Sequence, residues 1–208
     1  MKSQVFFPYG VSNFAEIVRD NFVYVDKTPF LELLEMSKEK RVVYLRPRRF
    51  GKSLFVSLLE HYYDINRKEQ FQELFGKYYI GQNPTPLANS FRILFFNFSG
   101  INTSTPQSGQ EGFNEWVRMY IDGFIEKYGI FTAEQKQKIF ATKDAEKIAG
   151  NFFYQYSISE KIPIYVLIDE YDHFTNEILV RDIEEFKKSV SLNGYVRKFY
   201  EVIKNATQ

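Results

Sequence analysis

Short apolar runs break up a chain that is otherwise densely charged, and their periods differ. Arg41-Val42-Val43-Tyr44-Leu45 is apolar and β-branched, and it follows the charged run Lys38 to Arg41. Arg92 to Phe98 and Pro163-Ile164-Tyr165-Val166-Leu167-Ile168 are apolar almost throughout. Each of the three predicts a buried strand. Phe22-Val23-Tyr24-Val25 is a shorter β-prone stretch that ends at Asp26. Helical spacing governs the rest. Leu54, Phe55, Leu58, Leu59 and Tyr62 form one stripe after Gly51-Lys52-Ser53. Short helices are predicted over Phe14 to Arg19 and over Pro29 to Met36, with Thr28 as cap and proline at the first helical position. Further helices are predicted over Phe113 to Tyr128, Ala133 to Ala141, Asp144 to Gln155, Ile178 to Val190 and Tyr195 to Ala206. Ile80 to Ser90 and Ser99 to Gly112 read as loops. Strands separated by helices predict an α/β domain with a mainly parallel sheet.

The chemistry concentrates where two of these strands end. After the first strand comes Arg46-Pro47-Arg48-Arg49-Phe50-Gly51-Lys52-Ser53-Leu54, and then a helix. A loop that wraps a phosphate chain needs backbone amides, and a helix N-terminus supplies them with a favourable dipole. Gly51 allows close approach, Lys52 can reach the β- and γ-phosphates, and the Ser53 hydroxyl can ligate Mg²⁺. The usual pattern is G-x-x-x-x-G-K-S/T, and here Arg46 stands at the first glycine. Pro47 restricts Arg46 to extended geometry, which offers a substitute for the turn that glycine would make. Arg48 and Arg49 either fork onto phosphate or stand in solvent. The last strand runs into Asp169-Glu170-Tyr171-Asp172. Asp169 would hold Mg²⁺ and Glu170 would polarise the attacking water, as metal-assisted phosphoryl transfer requires. A Gly-Lys-Ser tripeptide or an acidic strand end is ordinary by itself. The two together, each at the C-terminal end of a strand, predict a P-loop nucleotide site.

Composition narrows the classes. With 27 basic and 26 acidic side chains the net charge is +1, which gives no long-range pull toward nucleic acid or an anionic membrane. The chain has no cysteine, so disulfides and thiolate metal sites are excluded. His61 and His173 lack a third partner at metal spacing, and Trp116 shares a helical stripe with Phe113 and Tyr120, which reads as core packing. The apolar run at the N-terminus is far too short for a signal peptide, and no stretch approaches the ~18 residues of a membrane span. A soluble cytoplasmic protein is expected.

Four blocks carry a resemblance. Phe7-Pro8-Tyr9-Gly10, Tyr24-Val25-Asp26-Lys27-Thr28, the Arg46 to Ser53 loop and Leu167-Ile168-Asp169-Glu170-Tyr171-Asp172 resemble, in order, the bacterial AAA-ATPase-like family common in gut anaerobes. The resemblance implies that Arg46 in place of glycine is the family's own variant, and it leaves Asp26-Lys27-Thr28 either near the site, on its adenine side, or, as the residues favour, a plain strand-to-helix turn with Thr28 as the cap. It implies a three-layer α/β/α P-loop domain of the additional-strand class. Residues 1–40 would form a family-specific N-terminal segment and residues 41–208 the nucleotide-binding core. Family members continue into a Thr-Gly sensor strand, and many carry a C-terminal domain similar to PD-(D/E)XK nucleases. The chain is therefore expected to be C-terminally incomplete, with the sensor-strand slot vacant or filled from elsewhere. The function expected is Mg²⁺-dependent ATP binding and hydrolysis. The alternative is a nucleotide-binding switch or interaction module with little turnover, acting through self-association or the partner domain.

Overall fold

In the computed structural model, residues 6–47, 49–191 and 193–207 are described; Arg48 of the predicted loop and the first five residues, part of the predicted N-terminal segment, lie outside them. The chain divides into two compact units, Met1–Ile93 with Ile162–Leu167, and Leu94–Lys161 with Ile168–Gln208. A two-stranded sheet pairs β1 (Arg92–Asn97) with β2 (Ile164–Asp169). The Arg92 amide donates to Pro163 O at 3.0 Å, and the Phe98 amide to Asp169 O at 3.4 Å. Both strands advance by the same number of residues between these bonds, so the pair is parallel.

The predicted strand over 41–45 does not form. Residues 41–47 belong to neither helix nor strand. Val42, Val43 and Leu45 are 55%, 69% and 69% exposed. A strand is held by a neighbour's backbone, and among the described residues none forms a ladder with this segment. Tyr44 is anchored, stacked on Phe55 with ring centroids 4.9 Å apart. Phe22 to Val25 is likewise irregular, tied by bonds from the Phe22 amide to Ile17 O and from the Val23 amide to Phe6 O. The sequence pattern identified residues that suit a strand, but it did not supply their partners.

In the first unit, α1 (Phe14–Arg19), α2 (Pro29–Met36), α3 (Lys52–Tyr63), α4 (Phe71–Phe75) and α5 (Tyr79–Gln82) surround an aromatic core. The inner face of α3 is Phe55, Leu58, Leu59, Tyr62 and Tyr63, at the spacing of one helical stripe. Phe14 fills the space between α1, α3 and α4. Its ring stacks on Phe75 at 5.1 Å and meets Tyr24 edge-on at 5.4 Å, while its amide donates to Ser57 Oγ. Glu35 fastens α2 to α3 by accepting from the Tyr63 hydroxyl at 2.9 Å and from Thr85 Oγ1 at 2.8 Å. Burial, with the Glu35 carboxylate next in importance, pushes the Tyr63 phenol well above its ordinary range and keeps it a donor.

In the second unit, α6 (Pro106–Tyr128), α7 (Ala133–Ile139), α8 (Ala145–Ser159), α9 (His173–Arg181), α10 (Ile183–Val190) and α11 (Tyr195–Ala206) pack together, with α8 against α6, α7 and α11. Helix α6 begins seven residues before the predicted start. Thr105 and Ser108 form a reciprocal capping box around Pro106, which takes in part of the expected loop. The single helix predicted over 178–190 is two. Asp182 leaves the helical region and its carboxylate caps the Glu184 and Glu185 amides. Phe113 on α6 is fully buried, with its ring 5.1 Å from Phe98, 5.3 Å from Phe174 and 5.3 Å from Phe199. Trp116 stacks on Tyr120 and covers Gly100, where an added Cβ would come within 2.7 Å of the indole. Among the described residues no helix is long and apolar enough to cross a membrane.

Two stability predictions follow from this packing. Phe113→Ala should lower the unfolding free energy by about 3–5 kcal/mol, read by equilibrium urea titration, because it leaves a cavity among the rings of Phe98, Phe174, Tyr195 and Phe199. The second concerns His61, whose Nδ1–H donates to Ser57 O at 2.7 Å inside the first unit. Burial lowers its pKa, with the Ser57 bond opposing and Arg67 reinforcing. The unfolded chain titrates near the ordinary 6.5 and the folded one lower, so below about pH 6.5 the unfolded state binds the proton first. Stability should fall as pH drops from 7 toward 5. His61→Leu should flatten that slope, measured as urea midpoint against pH.

Candidate functional site

Helix α3 starts abruptly. Gly51 is its N-cap at φ 73°, ψ 33°, in the left-handed region, and no side chain caps the helix. A left-handed residue followed by a right-handed one turns consecutive amides toward the same side, a concavity suited to an anion. The Phe55 amide makes the first helical bond, to Gly51 O at 2.9 Å. The amides of Lys52, Ser53 and Leu54 precede it and have no acceptor within the helix. Lys52, Ser53 and Leu54 are all half-buried in the first turn.

The loop before Gly51 is built from its own residues. Arg46 is exposed, and its guanidinium lies over the Tyr44 ring, 5.4 Å from the centroid. That ring rests on Phe55, so Arg46, standing where the usual pattern has glycine, packs back against the anchor of the segment. Pro47 O accepts from the Phe50 amide at 3.4 Å, which closes a four-residue turn. Within it Arg49 sits at φ 68°. An arginine there is strained by contact between Cβ and the backbone, and glycine would be relaxed. Phe50 is 62% exposed at the tip.

A residue from another element joins the loop. Lys27 Nζ donates to Phe50 O at 3.4 Å, and a Cβ added to Gly51 would lie 3.0 Å from that nitrogen. The Asp26-Lys27-Thr28 segment therefore does meet the loop. Thr28 stands at the N-cap position of α2, but its side chain makes no cap bond to that helix. Its hydroxyl accepts instead from the Ile80 amide, 52 residues away. A contact so distant in sequence leaves no local signal.

Asp169 and Glu170 lie in the other unit, where β2 ends. Asp169 is buried, and its Oδ1 accepts from the Glu170 amide at 3.0 Å. Glu170 is at φ 51°, a left-handed conformation for a branched-free but bulky acid, and its carbonyl accepts from the His173 amide as α9 begins. A non-glycine residue persists in this region only where the structure around it holds it there. Phe174, one turn on, is clamped between Phe98 and Phe113, which fixes the exit from the turn. Asp172 is occupied structurally: Asn176 Nδ2 donates to its carboxylate and Thr175 Oγ1 to its carbonyl. His173 faces Glu177 at 3.8 Å. Among the described residues no three His, Cys, Asp or Glu side chains gather as a metal-binding group.

A mixed α/β chain with a glycine-initiated helix behind a basic loop belongs to a recognisable class, and comparison narrows it. The family model described as predicted AAA-ATPase, AAA-ATPase-like, matches residues 8–208. The chain belongs to that family. No curated protein and no solved structure matches it.

The two left-handed loop positions should respond oppositely. Gly51→Ala should destabilise by about 1–2 kcal/mol, since alanine is strained at positive φ. Arg49→Gly should stabilise by up to about 1 kcal/mol, the relief being offset by the entropy of glycine in the unfolded chain. Urea unfolding of both variants checks the pair.

Proposed function

We propose that the chain binds ATP at residues 46–54 and hydrolyses it with Mg²⁺. The observation that carries the reading is the start of α3: a left-handed Gly51, no side-chain cap, and Lys52 and Ser53 in the first turn. Membership of a family of predicted AAA-ATPases supports it. The fold that goes with this proposal is the three-layer P-loop arrangement.

In this reading the amides of residues 51–54 cradle the phosphate chain and Lys52 neutralises its charge. Arg46 and Pro47 set the path into the loop, and Arg49 and Phe50 form its tip. Arg48 completes the run. Glu170, turned out of β2 by its backbone, orients the attacking water. Ser53 and Asp169 would hold Mg²⁺, and a hydroxyl with a carboxylate is the hard oxygen set that this ion takes. Asp169 suits the task because one oxygen is fixed by the Glu170 amide, which orients the carboxylate. When bound, Mg²⁺ neutralises charge on the phosphate oxygens.

Positioning and electrostatics account for most of such catalysis, so the roles separate cleanly by variant. Lys52→Ala should abolish measurable ATP binding by calorimetry. Glu170→Gln should keep ATP affinity within about twofold and lower phosphate release at least about a hundredfold. Native turnover at background with ATP still bound would replace hydrolysis by the switch reading. Absence of ATP binding in the native protein would remove both.

A further inference from the structure

The tripeptide Asp26-Lys27-Thr28 is fastened at its two ends and directed at its centre. Asp26 Oδ1 accepts from the Thr28 amide at 2.8 Å and Oδ2 from the Tyr79 amide at 3.0 Å. Thr28, fully buried, accepts from the Ile80 amide at 3.2 Å. Helix α5 has no side-chain cap of its own, so Asp26 and Thr28 serve its first two amides from a distance. Glu32 continues the seam by accepting from the Tyr79 hydroxyl at 2.8 Å. Three side chains thus bind one face of this segment to α5.

Lys27, between the two fastened residues, reaches the loop before α3. Its amino group lies at the Phe50–Gly51 peptide, beside the first-turn amides of α3, which no side chain caps. The neighbouring Asp26 carboxylate is occupied by two amides. Among the described residues no carboxylate makes an ion pair with Lys27. Its hydrogen bond to Phe50 O is long, so exchanging it for a phosphate oxygen loses little. A compact ammonium on a flexible stem can make that exchange without moving the backbone.

We infer that Lys27 is a second phosphate-binding cation of the nucleotide site, acting in concert with Lys52. The inference rests on the nucleotide reading of the loop. It adds a ligand residue that lies outside the loop's sequence motif.

The test uses the full chain with ATP as the probe. Lys27→Met removes the charge and keeps the length, Lys27→Arg keeps the charge, and Lys52→Ala is the control. Lys27→Met should weaken ATP binding about tenfold at unchanged melting temperature. It should also shallow the salt dependence of that binding, and Lys27→Arg should restore most of the loss. In native protein, ATP should shield Lys27 from amine acetylation, read by mass spectrometry, and adenosine should not. If Lys27→Met binds ATP as native protein does while Lys52→Ala fails, the inference falls and the nucleotide site stands. Unchanged acetylation of Lys27 when ATP protects Lys52 overturns it equally. If native protein binds no ATP, the site and the inference fall together.

Discussion

The amides at the start of a helix need an acceptor, and part of this structure is arranged by how several helices find one. Asn13 caps α1, Thr105 caps α6, Thr132 caps α7 and Asp182 caps α10, each from the adjoining residue. Helix α5 borrows Asp26 and Thr28 from more than fifty residues upstream. That loan ties the N-terminal segment to the body of its unit. Helix α3 begins on a glycine that has no side chain to offer. The first kind of start fixes boundaries, the second fixes tertiary placement, and the third leaves donors available to a ligand.

Packing then holds these starts in position. In the first unit the stripe of α3 meets α4 through Tyr62, whose ring lies 5.4 Å from Phe75, and Phe75 in turn stacks on Phe14 of α1. In the second, Phe113 gathers Phe98, Phe174 and Phe199, so the strand end, the helix after Glu170 and the last helix share one aromatic junction. Phe side chains dominate because they fill volume without a polar atom to satisfy. Tyrosines enter the core where their hydroxyls find acceptors, as Tyr63 finds Glu35 and Tyr120 finds Asn97 O.

Much of this was legible in residue order. The ends of α1, α2 and α11 coincide with their periodic segments, and β1 and β2 fall within a residue of their apolar runs. Those elements have local causes: a cap, a proline at the first position, or a run long enough to bury. The misses have non-local or competing causes. Residues 41–45 have strand composition, but a strand is a property of two segments. Asp182 was hidden inside an apolar period because a carboxylate that caps and one that faces solvent look alike in sequence. At the site, Gly51 to Leu54 and the Asp169-Glu170 turn were visible as motifs. The left-handed Arg49 and the approach of Lys27 were not, since both depend on backbone geometry set elsewhere.

The irregular segment before the loop has a further meaning for the protein in bulk. Val42, Val43 and Leu45 present apolar, strand-prone side chains to solvent. Such a stretch is a template on which a second chain can pair and begin to aggregate. Its flanks are Lys38, Lys40 and Arg41 on one side and Arg46, Arg48 and Arg49 on the other. Glu39 offsets one of these cations, and the net positive charge of the flanks still makes two copies approaching through this stretch repel. The basic run that frames the loop thereby also acts as a colloidal guard, and its protection weakens as salt rises.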